Sequence, residues 1–401
     1  MKACGLIVEY NPLHNGHVYH IQEAKKISKA DCMIAIMSGS FLQRGEPAII
    51  DKFHRAKTAL QSGIDIVLEL PYRYAVQSSQ LFAKGAIQTL YEIGATSICF
   101  GSESGNINNF ITSYHTLKEK EVKFESILKY YLNQGMAYPQ ASKLAYEKIG
   151  LVSSTLDLSK PNNILGFSYV KSILDHHLPM KPLTIKRIKS NYHELNITGS
   201  IASATSIRKE LLAKAVINKH IQATIPTETF NQLQHYKQQA TIWHTWENYF
   251  PLVHYRVMTM TQEELNAIQG VDEGLESRIK QTAKEATSFK QWMQAIKTKR
   301  YTWTRLQRMF VHILTNTKKK DYSLVDDTIP YIRILGFTNT GRKFLNVHKK
   351  HITTPIVTQL GRDLHPMLIM EEKATNAYYS ILPAQISKEM RRQEIAPPIL
   401  L

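Results

Sequence analysis

The first hundred residues alternate β-like apolar runs with amphipathic helical patterns, and this alternation restricts the possible folds more than any other feature. Residues 17–28, 51–63 and 79–94 carry apolar side chains at helical spacing, and the last two segments end in glycine. The runs between them read as strands: ACGLIVEY, CMIAIMSG, IDIVLELP and SICFGS. Strands that alternate with helices in this way predict βαβ units on a parallel sheet, and therefore an α/β fold.

Polar residues and glycines follow all four predicted strands, at residues 11–12, 38–40, 69–71 and 101–103. Ligands of parallel sheets lie at the carboxyl ends of the strands. We therefore expect these four segments to converge on one site.

Later segments continue the pattern and then abandon it. KPNNILGFSYVKSIL predicts a helix, LTIKRIK a fifth strand, and ATSIRKELL a turn into another helix. Beyond about residue 215 the alternation disappears, the chain reads as largely helical to about residue 320, and the remainder is mixed. A chain of 401 residues is long enough for two domains, which we place at residues 1–215 and 216–401.

The turn after the first predicted strand reads His14-Asn15-Gly16-His17 and leads directly into a predicted helix. Gly16 lets a ligand approach the backbone, and a helix N-terminus presents free N–H groups and a positive dipole end. His14 and His17 lie on one side of the first turn, so both imidazoles can face the same point. The corner therefore predicts phosphate binding. A zinc site and a pair of capping or core histidines are the alternatives, although no nearby Cys, Asp or Glu clearly completes a zinc shell.

The net charge of +17 indicates a polyanionic partner, with a merely solvated basic face as the alternative. Residues 297–320 contain eight Lys or Arg and no acidic residue, with Tyr301, Trp303 and Phe310 among them. Cations follow phosphates and aromatic rings stack on unpaired bases, which predicts RNA binding. Alternatively, the aromatic side chains belong to the core face of an amphipathic helix. A membrane-surface helix fits a segment inside a domain poorly.

The three cysteines and the N-terminus give no sign of export. Cys4, Cys32 and Cys99 each lie in an apolar run and fit buried thiols of a reducing compartment. The first ten residues read as a strand and not as a signal peptide, and no apolar stretch is long enough for a membrane span. We expect a cytoplasmic protein.

Two motifs resemble the signatures of the nucleotidyltransferase superfamily, whose members bind ATP and attack its α-phosphate. Residues 14–17 match its HxGH signature, and IASATSIR at residues 201–208 is similar to its ISxTSIR signature. In that superfamily the second motif carries a serine and an arginine to the triphosphate. The motifs lie about 190 residues apart in the expected order, which is more specific than either alone and implies insertions in the domain.

Four longer blocks make the resemblance closer: GLIVEYNPLHNGHVYH, MSGSFLQRGEPAIIDKFHRAKTAL, PNNILGFSYVK and IKRIKSNYHE. With a basic second half behind them, they look like the bacterial tRNA(Met) cytidine acetate ligase family. The resemblance implies a Rossmann-like nucleotidyltransferase domain of the HUP type, with a parallel sheet, and a mainly helical C-terminal domain that binds tRNA. It also implies that ATP and acetate give acetyl-adenylate and pyrophosphate. The acetyl group then passes to N4 of the wobble cytidine of elongator tRNA(Met), giving N4-acetylcytidine.

The family's site residues carry over by motif. For catalysis the resemblance implies His14, His17, Ser206 and Arg208, which are suitable donors to a triphosphate. For ATP, expected to carry Mg²⁺ on its triphosphate, it implies Ile7, Val8, Glu9, Tyr10, Asn11, Pro12, Leu13, His14, Asn15, Gly16, His17, Val18, Tyr19, His20, Gly101, Asn162, Arg187 and Ile188. No metal ligands of the protein's own are predicted.

Three residues of this set have simpler alternatives. Gly101 is also explained as a turn glycine, Asn162 as the cap of a helix beginning near Ile164, and Arg187 as a solvated cation at a strand end. Arg44 could hold acetate or tRNA, or form an ion pair with Glu46, and is not assigned a role.

Two other functions compete with the ligase. One is a nucleotidyltransferase for a small phosphorylated substrate, of the pantetheine-phosphate or nicotinamide-mononucleotide adenylyltransferase type. Such enzymes are generally shorter and need no basic second domain. The other is a catalytically silent RNA-binding relative, which the intact HxGH and SIR motifs disfavour.

Overall fold

Parallel strands form the centre of the structure, as the alternation in the first half predicts. The computed structural model describes residues 1–151, 156–187, 202–214, 216–272, 274–323, 328–361 and 365–401. Within these ranges the strands are β1 Ala3–Val8, β2 Cys32–Ser38, β3 Ile66–Leu70, β4 Ser97–Ser102, β5 Lys181–Lys186, β6 Ile332–Phe337, β7 Ile356–Val357 and β8 Ile399–Leu400. β1 to β4 lie where the sequence predicts them, and β5 begins two residues before the predicted run.

The order of the strands places a crevice beside β1. The sheet runs β5-β4-β1-β2-β3-β6-β7, with β8 paired to β6. β1 to β5 are parallel, whereas β6 is antiparallel to β3. From β1 the chain adds β2 and β3 on one side and β4 and β5 on the other, so the winding reverses between β1 and β4. Ligands bind at the carboxyl ends of the strands beside such a reversal.

Helices cover both faces of the sheet in the first half of the chain. The helices of this half are α1 Asn15–Ser28, α2 Lys52–Gln61, α3 Tyr72–Ala75, α4 Ser79–Glu92, α5 Ile107–Glu119, α6 Glu121–Asn133, α7 Tyr138–Lys148, α8 Pro161–Asp175 and α9 Ala204–Lys214. Of these, α1, α2, α4, α5 and α8 pack directly on the sheet. Helices α5 to α8 lie between β4 and β5, and they account for much of the long spacing between the two motifs.

The described part of the second half is largely helical up to residue 323, as predicted. Its helices are α10 Lys219–Thr224, α11 Thr227–Ala240, α12 Trp246–Thr259, α13 Gln262–Asn266, α14 Leu275–Ala283, α15 Phe289–Ile296, α16 Trp303–Leu314, α17 Lys319–Ser323, α18 Asn339–His348, α19 Pro366–Tyr379 and α20 Ala384–Arg391, with a 3₁₀ turn at Arg392–Glu394. No described helix is long and apolar enough to cross a membrane.

The sheet is buried on both faces. All seven residues of β2 are buried. Ile34 and Ile36 pack into the core on one side of the sheet, while Met33 and Met37 pack into the core on the other. Such continuous apolar strands are typical of a parallel sheet covered by helices on both faces. The three cysteines are buried free thiols, as predicted.

A buried charge network attaches the C-terminal segment to the sheet. The ammonium of Lys52 lies 2.7 Å from Glu69 Oε1 and 2.6 Å from Glu394 Oε1, and Arg333 pairs with Glu394 at 3.2 Å. Removal of one member would leave an uncompensated buried charge, so the network holds these segments together. Strands from before and after residue 215 belong to the same sheet. The division into two domains at that residue stays a prediction.

Candidate active site

The corner between β1 and α1 fixes both histidines through their own backbone. His14 is the N-cap of α1, and its Nδ1 accepts a hydrogen bond from the backbone N–H of Gly16 at 3.1 Å. Nδ1 of His17 accepts from the backbone N–H of His14 at 3.3 Å. The two rings stack with their centroids 3.8 Å apart. The histidines therefore form a reciprocal capping box of the kind usually made by Ser and Glu.

This cap determines which nitrogen of each ring carries the proton. Because Nδ1 of His14 and of His17 accepts a backbone hydrogen bond, the proton of each neutral imidazole sits on Nε2. Burial, with the positive charges of Arg187 and Arg208, lowers the pKa of His14 to about 3. Burial and the neighbouring His14 also lower the pKa of His17 well below its ordinary value. Capping and phosphate binding are thus compatible, since capping uses Nδ1 and leaves Nε2–H as a donor.

We expect both imidazoles to remain neutral Nε2–H tautomers between pH 8 and pH 5. A depressed pKa means that the neutral form persists as the pH falls through 6.5, where an unperturbed histidine becomes charged. The ¹⁵N chemical shifts of the His14 and His17 rings, assigned by comparison with the His14→Asn and His17→Asn variants, test this. Protonation of either ring with a midpoint near 6.5 would contradict the neutral-donor assignment.

A cavity of about 950 Å³ opens over this corner. It lies at the carboxyl ends of β1 and β4, where the winding of the sheet reverses. The residues predicted from the sequence that line it are Ile7, Val8, Glu9, Tyr10, Asn11, His14, Gly16, His17, Tyr19, His20, Gly101, Asn162, Arg187 and Arg208. The structure therefore brings most of the predicted site into one space.

Other predicted residues do not line this cavity. Leu13 is buried in the core, and the side-chain amide of Asn15 donates to the carbonyl of Ala223 at 3.0 Å. The Ser206 hydroxyl is buried and donates to the carbonyl of Ser203 at 2.8 Å within its own helix turn. Pro12 and Val18 are likewise not among the lining residues. Ile188 lies outside the described residues.

The wall formed by β4, β5 and α8 carries a chain of polar contacts. Glu103 Oε1 accepts from the side-chain amide of Asn162 at 2.7 Å, and Asn162 Oδ1 accepts from Arg187 Nη1 at 3.4 Å. Helix α8 begins at Pro161, so Asn162 is inside its first turn and the interpretation of Asn162 as a helix cap is wrong. A Cβ on Gly101 would lie 3.3 Å from Cγ of Arg187. Gly101 therefore gives Arg187 room to lie along the wall.

The guanidinium of Arg208 lies on the opposite side of the corner. It donates through Nη1 to the carbonyl of Asn11 at 2.8 Å and pairs through Nη2 with Glu46 Oε2 at 3.1 Å. Glu46 also lines the cavity, and sequence reasoning considered it only as a partner of Arg44. The sequence signal near Glu46 is the SGSFLQRGEP segment after β2, whose two glycines, one arginine and one glutamate are unusual beside a buried strand.

Comparison with known proteins places these features in a family. The HIGH nucleotidyl transferase family matches residues 1–394. The tRNA(Met) cytidine acetate ligase of Oceanobacillus iheyensis is 56% identical over the full length of both chains. The enzyme of the same name from Bacillus subtilis is 44% identical over 98% of this chain and 96% of its own. This chain belongs to the tRNA(Met) cytidine acetate ligase family.

Solved structures of Thermotoga maritima TmcAL agree with this assignment. The apo form has a TM-score of 0.91 and 33% identity, and each chain is covered completely. The form bound with alpha-thio ATP has a TM-score of 0.88 and 32% identity, again over both complete chains. The predicted α/β nucleotidyltransferase fold and family are thus confirmed.

In this member of the tRNA(Met) cytidine acetate ligase family, the cavity also reaches the basic segment of the second half. Arg300, Arg305 and Arg308 line it together with the HxGH corner. Phe310 is fully buried in the core and Tyr301 is only 6% exposed, so their interpretation as base-stacking residues is wrong, whereas Trp303 is 37% exposed. The segment therefore combines a core face with cations that face the site.

Proposed function

We propose that this chain is an ATP-dependent ligase that activates acetate as acetyl-adenylate and transfers the acetyl group to N4 of the wobble cytidine of elongator tRNA(Met). The observation that carries the proposal is the single cavity that joins the HxGH corner to the cations of α16 and the preceding turn. A nucleotide site and a polyanion site that share one space suit an activated intermediate that is passed directly to RNA. The cytoplasm, where tRNA is found, is its proposed location.

In the first half-reaction, an acetate oxygen attacks the α-phosphorus of ATP and the bond to the leaving pyrophosphate breaks. The protein mainly has to align the groups and stabilise the charge that develops on phosphate oxygens. We assign this role to the Nε2–H groups of His14 and His17 and to the guanidinium of Arg208. These donors are held in place before ATP arrives, so they need little reorganisation.

We also propose that Mg²⁺ accompanies ATP. Mg²⁺ is usually held through substrate phosphates, a few carboxylates and water. Glu9 lines the cavity beside the HxGH corner and would offer a carboxylate oxygen of the kind that Mg²⁺ prefers. When bound, the ion would neutralise part of the triphosphate charge.

In the second half-reaction, the N4 amine of cytidine attacks the acetyl carbonyl, AMP leaves, and N4 loses a proton. A base that reacts in this way has to leave the stack of the anticodon loop and enter the cavity. Arg300 and Arg305 are placed to hold the neighbouring phosphates. We assign residues 1–215 to ATP chemistry and residues 216–401 to tRNA binding.

Pyrophosphate release from ATP tests the proposal. The purified chain should release pyrophosphate when acetate is present, and it should form N4-acetylcytidine when tRNA(Met) is added. Pantetheine phosphate and nicotinamide mononucleotide in place of acetate should give no release. Release with either of these, and none with acetate, would identify a small-molecule adenylyltransferase instead.

Arg208→Ala should raise the KM for ATP and lower kcat for acetate-dependent pyrophosphate release. Its charge contact to the leaving pyrophosphate strengthens as negative charge develops, and hydrogen bonds to charged groups are typically worth ~10–100-fold. Steady-state kinetics with varied ATP measure both effects. Lys214→Ala, a change at an exposed cation of the same helix, serves as the control. Unchanged ATP kinetics in Arg208→Ala would show that the SIR motif here only begins a helix.

A further inference from the structure

Residues 43–46 form a tight turn between the two halves of the molecule. The backbone N–H of Gly45 donates to the carbonyl of Leu42 at 2.8 Å, and the N–H of Leu42 donates to the carbonyl of Glu46 at 2.9 Å. Two contacts attach the turn to the second half. The indole of Trp246 donates to the Gly45 carbonyl at 2.8 Å, and Arg308 Nη1 donates to the Gln43 carbonyl at 3.3 Å.

Gly45 lies against the backbone of α16. Its φ is +75°, in the left-handed region that glycine adopts without strain. A Cβ at this position would overlap the backbone nitrogen of Arg308. The turn therefore lies directly on the backbone of the helix that carries the basic segment.

The other side of the turn contacts the nucleotide corner. The backbone N–H of Gln43 donates to Glu9 Oε1 at 2.9 Å, and Glu46 pairs with Arg208. The charges interact closely, since burial raises the pKa of Glu9 while Arg44 and Arg208 lower it and Glu46 raises it. With one nitrogen on the Asn11 carbonyl and the other on Glu46, the Arg208 guanidinium is fixed in direction.

We propose that Glu46 is a positioning residue for acetyl-adenylate formation: it orients Arg208, and its own place is set by the contact of the 43–46 turn with α16. The proposal rests on the function proposed above for Arg208. Glu46 itself does not have to touch the reacting atoms. This assignment gives the SGSFLQRGEP segment a role, whereas the HxGH and SIR motifs assign it none.

The charge of Glu46 has two opposite consequences. It competes with the triphosphate for the Arg208 guanidinium, with which it pairs, so it weakens the binding of ATP. It also holds the guanidinium in one direction, which favours the alignment needed as pyrophosphate leaves. A variant that loses the charge should therefore bind ATP more tightly and react more slowly.

The experiment compares Glu46→Gln with the wild-type enzyme. We expect ATP, titrated calorimetrically in the absence of acetate, to bind about threefold more tightly, because Arg208 no longer has a carboxylate that competes with the triphosphate for its charge. We expect kcat for acetate-dependent pyrophosphate release to fall about tenfold and the KM for ATP to fall as well. This combination is expected when a substitution removes alignment in the transition state and also removes competition for Arg208 in the ground state. A structural defect alone would not lower KM. Glu46→Asp, which keeps the charge but shortens the side chain, should restore wild-type ATP affinity.

A double-mutant cycle with Arg208→Ala tests whether Glu46 acts through Arg208. In that background Glu46→Gln should change neither ATP affinity nor kcat by more than about twofold, whereas independent residues would give additive effects. Additive effects, or an Arg208-independent change in affinity, would overturn the proposal.

The contact with α16 is tested by Gly45→Ala. We expect this variant to give the same combination of lower kcat and lower KM, because the methyl group pushes the turn off the helix. Gly135→Ala is the matched control: Gly135 has a similar φ of +79°, but a Cβ there would meet nothing within 4 Å. Thermal melting of both variants separates backbone strain from loss of the contact. Wild-type kinetics in folded Gly45→Ala would remove α16 from the proposal.

These outcomes are distinct from failure of the proposed function. If the wild-type enzyme releases no pyrophosphate with acetate, the ligase function fails, while the ATP titrations still decide whether Glu46 acts on Arg208. If the wild-type enzyme is active and the cycle is additive, only the role of Glu46 fails.

Discussion

Replacement of His14 or His17 by alanine should lower the rate of acetate-dependent pyrophosphate release by ~10²–10³, the usual cost of one lost donor to a developing oxyanion. Each substitution removes an Nε2–H group that the capping box holds facing the cavity. The loss should appear mainly in kcat, because the donor matters most when charge develops on the phosphate oxygens. Pyrophosphate release in the absence of tRNA measures it directly.

The capping role of His14 requires a control. His14→Ala also removes an N-cap, which typically costs ~0.5–2 kcal/mol of stability. His14→Asn keeps an acceptor for the Gly16 N–H, because Asn is a favoured N-cap residue, but it lacks Nε2–H. We therefore expect His14→Asn to melt like the wild type and to be as slow as His14→Ala. Activity above about a tenth of the wild-type rate in either variant would refute a phosphate-binding role for His14.

The sequence predicted the sheet, and polar segments that border one cavity at its edge, because both depend on local patterns. β1 to β4 are short apolar runs bounded by turn residues, and all lie where the pattern placed them. The reversal of winding between β1 and β4 follows from pairing and could not be predicted from periodicity. The reversal places a cavity at the carboxyl ends of β1 and β4. This position agrees with the prediction that the polar residues after the strands converge on one site.

The contacts between the second half of the chain and the sheet could not be predicted from local sequence patterns. β6 pairs antiparallel with β3, for example through Ile66 and Phe337. Because these partners are far apart in sequence, no local pattern predicts the pairing. Ser206 and Arg208 show the same limit inside a motif. The motif predicts both as donors, but the fold turns the Ser206 hydroxyl into its own helix and leaves Arg208 in the cavity.

The basic segment was predicted as a unit, and the structure divides it by burial. Arg308 donates to the Gln43 carbonyl, and burial with the nearby charge of Arg305 lowers its pKa to about 10, so it belongs to the contact with the 43–46 turn. Lys299 and Arg300 are exposed. Arg305 is partly exposed, and its guanidinium lies over the ring of Tyr301. Its Nη2 is 3.8 Å from Oδ2 of Asp272, which is a long ion pair. A test of tRNA binding should therefore change these three cations and leave Arg308 intact.

The triple substitution of Lys299, Arg300 and Arg305 by glutamine should weaken tRNA(Met) binding about a hundredfold at low salt and flatten its salt dependence. Each lost phosphate contact removes roughly 0.7–0.9 from the slope of log K against log salt, so the slope should fall by about 2–3. Acetyl-adenylate formation without tRNA should hardly change, because the three cations are outside the histidine corner. Filter binding at several salt concentrations, beside a tRNA-free pyrophosphate assay, measures both.

The matched control removes three exposed cations elsewhere: Lys343, Lys349 and Lys350, on and just after α18. This helix contacts the amino end of β3, where a Cβ on Gly341 would overlap the Asp65 carbonyl, and thus lies at the opposite end of the sheet from the cavity. If tRNA binding depends only on the net charge of +17, both triple variants will lose the same amount of tRNA affinity, and the slope of log K against log salt will fall equally in both. If the cations beside α16 bind the RNA, only the first variant will. An unchanged slope in the first variant would exclude these residues from the RNA site and leave the ATP chemistry unaffected.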